Sequence, residues 1–209
     1  MKFELIYADP PWDFRSNSEQ NVGRNVRGHY NTLDLKRLKS FPVESIAEED
    51  SMIAMWTTGP MLDQAISLMR AWGFKFKGSL FTWIKTTKKG TLHVGLGYIT
   101  RKNAEYCLYG TKGKGLGIPT NRTIEDVIMA RRMAHSKKPT EAYERLEILY
   151  PKATRVELFA RNTRNHWISF GNEVPEGYAT AKRTFKGIRN LKMNRSYFEV
   201  SVPQVDGFY

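Results

Sequence analysis

The sequence predicts an α/β domain with a largely parallel sheet and helices on both faces. Short apolar runs rich in β-branched and aromatic residues alternate with stretches of helical apolar spacing, and polar residues follow several of the runs. A chain of 209 residues fits one domain, and its 41% hydrophobic and 12% aromatic content can fill a core. Global disorder is therefore excluded.

The first half of the chain predicts two strands and one helix. Residues 3–8 form a β-rich run that stops at Pro10-Pro11, because proline cannot continue a strand ladder. The polar stretch 13–31 predicts a long loop that works as a lid or binding loop. Residues 51–58 predict a buried strand, and Thr58-Gly59-Pro60 opens a helix whose apolar spacing lasts until Gly73.

The second half continues the alternation of strands and helices. Residues 75–85 predict a strand, and the basic, Gly-rich region 85–122 predicts loops that project from the sheet, with a short strand near 106–109. The other predicted elements are strands at 127–130, 155–160 and 167–170 and a helix at 140–150. We expect one domain over residues 1–174 and a basic tail over 175–209, in which 197–202 adds one edge strand.

The positive charge is concentrated in one part of the chain. The net charge is +12, and residues 61–122 carry 11 basic and 2 acidic side chains, a net charge of +9. A concentrated basic region is typical of a nucleic-acid partner, because Lys and Arg release counterions when they contact phosphates. The alternative is a solvated basic surface without a ligand.

Several classes of protein are excluded by composition. No apolar stretch is long enough to span a bilayer, and Asp9 interrupts the amino terminus before a secretory segment could form. Cys107 is the single cysteine and the four histidines are widely separated, so we expect no internal disulfide and no metal site. We therefore expect an intracellular, cytoplasmic protein.

The tetrapeptide Asp9-Pro10-Pro11-Trp12 directly follows the first predicted strand. Two prolines remove two backbone N–H donors, so this segment offers carbonyl acceptors beside a carboxylate and a flat aromatic ring. An exocyclic amine on a nucleobase requires such acceptors and such a stacking surface. The alternative is an ordinary strand-ending turn with a capping Asp and a packed Trp.

The chain resembles the MT-A family of N6-adenine methyltransferases over residues 3–174. Four blocks occur in the family's order, namely YADPPWDF at 7–14, NAEYCLYGTKG at 103–113, HSKKPTEAYERLEILYP at 135–151 and RVELFARNTRNHWISFGNE at 155–173. The resemblance implies a Rossmann-like methyltransferase sheet, S-adenosylmethionine as cofactor, and a permuted order in which the catalytic motif precedes the cofactor motif. Resemblance to the small bacterial and phage members also implies the cytoplasm of a bacterium or a phage-infected host cell.

The resemblance also implies roles for individual residues. The implied catalytic residues are Asp9, Pro10, Pro11 and Trp12. The implied cofactor-binding residues are Asp9, Lys138, Phe159, Arg161, Asn162, Asn172 and Glu173. The expected substrate contacts are Trp12, Tyr30, Glu105 and Lys138 at the base, with Lys88, Lys89, Arg101 and Lys102 on phosphates. The implied gate loops are residues 13–29 and 131–138.

Without the resemblance, the residues alone leave alternatives open. The polar run at 161–164 is also what an ordinary strand-to-loop exit looks like, and Lys138 could be a solvated lysine before a helix that starts near Pro139. Glu105 is one of the two acids in the basic region, so either a polar ligand or an Arg partner would explain it. The glycines at 110, 113, 115 and 117 match no phosphate-binding motif.

The predicted function is transfer of a methyl group from S-adenosylmethionine to the N6 amino group of adenine in DNA. The alternatives are an RNA adenine methyltransferase, a catalytically silent nucleic-acid-binding subunit, and cytosine N4 as the acceptor. Double-stranded DNA is the favoured partner, because the basic region suits a duplex and the sequence has no zinc or aromatic ribonucleoprotein motif. Glu173, where the messenger-RNA enzyme has Gln, also departs from an RNA enzyme. No membrane association is expected, and a homodimer is left open.

Overall fold

A computed structural model of the chain describes residues 1–12, 34–97, 99–133, 137–171 and 174. The strands are β1 (Phe3–Ala8), β2 (Ala47–Thr57), β3 (Lys75–Thr86), β4 (Ala104–Lys112), β5 (Val127–Arg131), β6 (Arg155–Leu158) and β7 (Ile168–Phe170). The helices are α1 (Leu35–Lys39), α2 (Val43–Ile46), α3 (Leu62–Ala71) and α4 (Thr140–Leu149), and a 3-10 turn at Gly59–Met61 leads into α3.

The described strands form one seven-stranded sheet in the order β5-β3-β4-β2-β1-β6-β7. β4 runs antiparallel to β2 and β3, and every other neighbouring pair is parallel. This topology confirms the predicted α/β class and the largely parallel sheet. Since β1 lies between the parallel strands β2 and β6, its carboxyl end opens onto the edge where open α/β sheets bind ligands.

Two hydrophobic layers cover the two faces of the sheet, because successive side chains of a strand point to opposite faces. On one face Ile6 and Ile53 pack in a cluster with residues of α1, α2 and α3. On the other face Tyr7 and Trp56 pack with Leu146 of α4. The predicted placement of helices on both faces is confirmed.

The structure differs from the sequence prediction in two places. β4 covers nine residues and lies within the sheet, whereas only a short strand near 106–109 was expected among projecting loops. Helices α1 and α2 were not predicted, since five and four residues are too few to establish a helical period. The start of α1 is stabilised by Asp34, whose Oδ1 accepts the Arg37 N–H at 2.7 Å.

Other predicted features lie outside the described residues. These are the loop at 13–31 and the tail with its edge strand at 197–202. Within the described ranges, no helix is long and apolar enough to cross a membrane.

Candidate active site

The centre of the site is a buried ion pair at the carboxyl end of β1. Asp9 follows the last residue of β1, and Lys138 lies two residues before α4. The Lys138 Nζ donates to Asp9 Oδ2 at 2.6 Å, and the two side chains are 5% and 19% exposed. Lys138 is therefore not the solvated lysine that its position before a helix also allowed.

Two further side chains extend this pair into an ionic cluster of Asp9, Lys138, Glu105 and Lys85. Lys138 Nζ lies 3.4 Å from Glu105 Oε2, and Lys85 Nζ donates to Glu105 Oε1 at 2.5 Å. Negative and positive groups thus alternate, so each buried charge faces one of opposite sign. Glu105 has a cationic partner on each oxygen, and both partners are lysines.

Lys85 was not predicted as a site residue from the sequence. The sequence feature that could have identified it is the alternation of side chains along β3, which places Lys85 on the same face as Trp83, two residues earlier. The antiparallel register pairs Trp83 with Glu105 on β4, so the end of β3 and the start of β4 meet. The Lys85 Nζ also lies 5.1 Å from the centre of the Trp83 ring.

The cluster shifts the pKa of Asp9, Lys138 and Glu105. Burial raises the pKa of Asp9, and the neighbouring Lys138 ammonium opposes that rise. Burial alone would lower the pKa of Lys138, yet Asp9 and Glu105 outweigh it and raise this pKa. Burial alone would raise the pKa of Glu105, yet Lys138 and Lys85 outweigh it and lower this pKa. These directions favour the charged form of the lysine and of Glu105 at neutral pH.

The residues after Asp9 form a fixed turn. The Trp12 backbone N–H donates to the Pro10 carbonyl oxygen at 2.9 Å, and the Trp12 indole Nε1 donates to the Trp56 carbonyl oxygen at 3.0 Å. The indole ring is half-buried. A carbonyl oxygen has two lone pairs, so the Pro10 carbonyl can accept a second hydrogen bond from a ligand. The tetrapeptide can therefore be a strand-ending turn and also bind an exocyclic amine.

β6 lies beside β1 and β7 beside β6, and the exits of β6 and β7 have an unusual backbone. Phe159 has φ +61°, which costs energy for a residue other than glycine, and such strain clusters at ligand sites. The Phe159 ring lies 5.6 Å from that of Phe41. The Ala160 N–H donates to the Phe170 carbonyl at 3.0 Å, and a Cβ at Gly171 would collide with the Ala160 carbonyl oxygen, so the two exits approach closely.

The strand register brings Tyr7, Glu157 and Ser169 side by side on three neighbouring strands. The Tyr143 hydroxyl donates to Glu157 Oε1 at 2.8 Å, and the Trp56 Nε1 donates to the Tyr7 hydroxyl at 2.5 Å. Burial raises the pKa of Glu157 to about 7. Ser169 Oγ is buried and has no hydrogen-bond partner among the described residues. Glu157 and Ser169 were not predicted as site residues, since a strand's alternation alone gives no sign of this polar row.

The other predicted residues separate into three groups. Half-buried Arg161 and exposed Asn162 follow β6, and Arg161 lies close enough to Asp9 to lower its pKa. The basic residues expected on phosphates are exposed in the β3–β4 connection, and they are Lys88, Lys89, Arg101 and Lys102. The predicted positions outside the described residues are Tyr30, Asn172, Glu173, the gate loop 13–29 and residues 134–136 of the gate loop 131–138.

Comparison with known proteins gives matches over most of the chain. A family model described as MT-A70 matches residues 3–173. The type II methyltransferase M.MunI of Mycoplasma sp is 33% identical over 193 residues, which are 84% of this chain and 79% of that protein.

Eukaryotic proteins match over a similar region. The N(6)-adenosine-methyltransferase MT-A70-like protein of Arabidopsis thaliana is 30% identical over 210 residues, or 98% of this chain and 27% of that protein. The human catalytic subunit METTL3 is 31% identical over 180 residues, or 83% of this chain and 28% of that protein. The chain thus spans about a quarter of the length of these relatives.

Proposed function

Because the chain belongs to the MT-A70 family, we propose that it transfers a methyl group from S-adenosylmethionine to the N6 amino group of adenine in DNA. The observation that carries this proposal is the position of Asp9 at the end of β1, where it is paired with Lys138 and followed by the Pro10 carbonyl and the Trp12 ring. A carboxylate, a carbonyl and an aromatic ring are what an adenine amine requires.

The residues present fit the cofactor. The strained Phe159 and the close approach at Gly171 lie at the exits of β6 and β7, and the Ser169 hydroxyl on β7 has no hydrogen-bond partner among the described residues. Buried polar groups of this kind are rare and support a ligand site at this edge. The residues that would hold the cofactor are Asp9, Lys138, Phe159, Arg161, Asn162, Asn172 and Glu173. When bound, S-adenosylmethionine supplies a methyl group on a positively charged sulfur.

The site would act by positioning and electrostatics. The Asp9 carboxylate and the Pro10 carbonyl accept the two hydrogens of the adenine amine, and we assign one of them to Asp9 Oδ1 because Lys138 bonds Oδ2. With the cofactor bound, these two bonds would orient the nitrogen lone pair for displacement of the methyl group, with S-adenosylhomocysteine as the leaving group. The amine needs no strong base beforehand, since the methylated nitrogen is acidic and would release its proton to solvent afterwards.

The base would leave the stack to reach Asp9. Trp12 offers its half-buried ring as the stacking surface. Taking a base out of a duplex costs a few kcal/mol, which contacts at the base must offset. Tyr30, Glu105 and Lys138 are the further residues that we assign to the base.

DNA is the proposed polymer and phosphate contact its proposed means of binding. The exposed cations of the β3–β4 connection lie next to the ionic cluster through Lys85 and Glu105. We assign the catalytic domain to residues 1–174, with target-recognition loops around 85–122 and a basic tail at 175–209. The proposed partner is double-stranded DNA in the cytoplasm, with a second copy of the chain as a further candidate.

A binding and turnover experiment separates an enzyme from a catalytically silent subunit. Calorimetry should detect S-adenosylmethionine binding by the wild type and, within a few fold, by Asp9→Ala, while Asp9→Ala transfers no methyl group. Retention of more than about a tenth of wild-type turnover would mean that Asp9 contributes less than ~1.4 kcal/mol to the transition state. Asp63→Ala, at an exposed carboxylate on α3, is the control and should leave both measurements unchanged. Absence of cofactor binding by the wild type would favour the silent subunit.

A further inference from the structure

The connection between β3 and β4 exposes a group of aliphatic side chains. Leu92 and Val94 are 53% and 61% exposed, and Leu96 and Ile99 are 75% and 91% exposed. Four of the nine large apolar side chains exposed in the described part of the chain thus lie within eight residues. Such a concentration marks an interaction site rather than ordinary surface.

Backbone hydrogen bonds join the two ends of the segment that carries Leu96 and Ile99. The Gly95 N–H donates to the Lys102 carbonyl at 2.8 Å, and the Lys102 N–H donates to the Gly95 carbonyl at 3.4 Å. A Cβ at Gly97 would collide with the Thr100 carbonyl oxygen, so the turn between Gly95 and Lys102 is too tight for another residue there. Leu96 and Ile99 are therefore presented to solvent by a closed turn.

The base of this turn is bonded to the ionic cluster. The His93 N–H donates to the Lys85 carbonyl oxygen at 2.8 Å, and the Asn103 Nδ2 donates to the His93 carbonyl oxygen at 2.8 Å. Lys85 in turn donates to Glu105. The base of the turn is thus connected to Asp9 by a short series of hydrogen bonds and ion pairs through Lys85, Glu105 and Lys138.

The charge of the segment selects the kind of partner. Residues 87–103 contain no acid, and their basic residues are Lys88 and Lys89 before the aliphatic group and Arg101 and Lys102 after it. Cations on both sides of the exposed aliphatic group favour a polyanion, whose phosphates the cations contact. Aliphatic side chains that enter a base stack between flanking phosphate contacts are a known way to unstack a duplex.

We propose that Leu96 and Ile99 form an aliphatic wedge that enters the DNA base stack beside the target adenine and keeps it open while the adenine occupies the site. This inference rests on the proposed function. The wedge replaces stacking contacts that the duplex loses when the base leaves, so it lowers the cost of extrusion on paired DNA. On single-stranded DNA no pairing has to be broken, and the wedge has little to contribute.

The test compares paired and unpaired substrates with the double variant Leu96→Ser/Ile99→Ser. The site methylated by the wild type is first mapped, and kcat/KM is then measured on that sequence as a duplex and as a single strand. We expect a loss of about tenfold or more on the duplex and of less than about twofold on the single strand. With 2-aminopurine at the mapped adenine, the fluorescence rise that wild-type protein causes in the duplex should also be lost. Ile148→Ser, at a 47% exposed position on α4, is the matched control and should behave as wild type on both substrates.

Three results would overturn the wedge. Equal losses on both substrates would indicate a structural effect of the substitutions, and unchanged kcat/KM on both would mean that the turn does not open the duplex. Equal losses accompanied by a smaller oligomer in sedimentation would instead assign the turn to an interface between copies of the chain. Failure of the proposed function is a separate result, because the wild type itself would then methylate neither substrate.

Discussion

Lys138 controls the carboxylate that we propose as the amine acceptor. Its ammonium opposes the rise in the pKa of Asp9 that burial causes, so it favours the carboxylate form of Asp9. The sequence alone left Lys138 open as a solvated residue, because Pro139 is also typical of a helix start. Only the fold shows that the residues before α4 reach the end of β1, since that contact joins positions 129 residues apart.

Replacing Lys138 with Met should move the acidic limb of the kcat–pH profile to higher pH. Without the ammonium the pKa of Asp9 rises further, so a larger fraction of the carboxyl is protonated, and inactive as an acceptor, at a given pH. Steady-state kcat measured between pH 5 and 9 checks this, with circular dichroism to verify folding. Lys138→Arg should restore part of the wild-type profile, and an unshifted profile in the folded Met variant would contradict the assignment.

Lys85 should affect the Asp9 carboxylate indirectly, through Glu105 and Lys138. Lys85→Met removes one of the two cations on Glu105, which then draws Lys138 away from Asp9. We expect a fall in kcat of about tenfold with a cofactor affinity close to that of the wild type, since one charge-assisted hydrogen bond is worth roughly 1.5–3 kcal/mol. Lys77→Met, at an exposed position on the same strand, serves as the control, and an equal effect there would contradict this role for Lys85.

At the scale of elements, the periodicity of the sequence was sufficient for the main strands and for α3 and α4. It failed where an element is too short for a period, as in α1, and where glycines and lysines suggested loops, as around β4. The turn after β1 was identified as a candidate site from its chemistry, and the structure places it beside Lys138. The polar row of Tyr7, Glu157 and Ser169 was not predicted, because it is formed by the register of the three strands β1, β6 and β7.

That row gives the β6–α4 layer a pH-dependent stability. The pKa of Glu157 is raised from its ordinary 4.5 to about 7, so the folded state binds a proton more tightly than the unfolded state. The free energy of unfolding should therefore fall as the pH rises from about 4.5 to about 7, by up to about 3 kcal/mol. Glu157→Gln keeps an acceptor for the Tyr143 hydroxyl and removes the titration.

Thermal unfolding of the two proteins without cofactor measures this effect. The Gln variant should gain stability over the wild type at pH 8 and lose that advantage at pH 5. Glu141→Gln, at an exposed position in the first turn of α4, is the control and should show no such change with pH. If the difference in stability between wild type and Glu157→Gln did not change with pH, the Glu157 carboxyl would not be protonated in the folded state.

For the whole molecule, the uneven distribution of positive charge along the chain predicts which residues bind DNA. Reversing the charge at Lys88, Lys89, Arg101 and Lys102 should weaken binding to every DNA sequence and leave S-adenosylmethionine affinity intact. The slope of log K against log salt should become shallower by about 0.9 for each phosphate that the variant no longer neutralises. Fluorescence anisotropy at several salt concentrations gives both quantities.

A second charge-reversed variant controls for the change in net charge. Lys2, Lys36 and Lys152 are exposed and lie outside the basic region, so reversing them should alter DNA affinity much less. The control reverses three charges and the first variant four, so their effects are compared per reversed charge. Equal effects per reversed charge would mean that net charge, rather than the β3–β4 connection, determines binding.

The most direct test of the proposed activity identifies the methylated nucleoside. Purified protein is incubated with S-adenosylmethionine and matched adenine-rich DNA or RNA, which is then digested to nucleosides for mass spectrometry. We expect N6-methyldeoxyadenosine from DNA with the wild type and none with Asp9→Ala. N4-methylcytosine as the product, or N6-methyladenosine from RNA alone, would contradict the proposed activity.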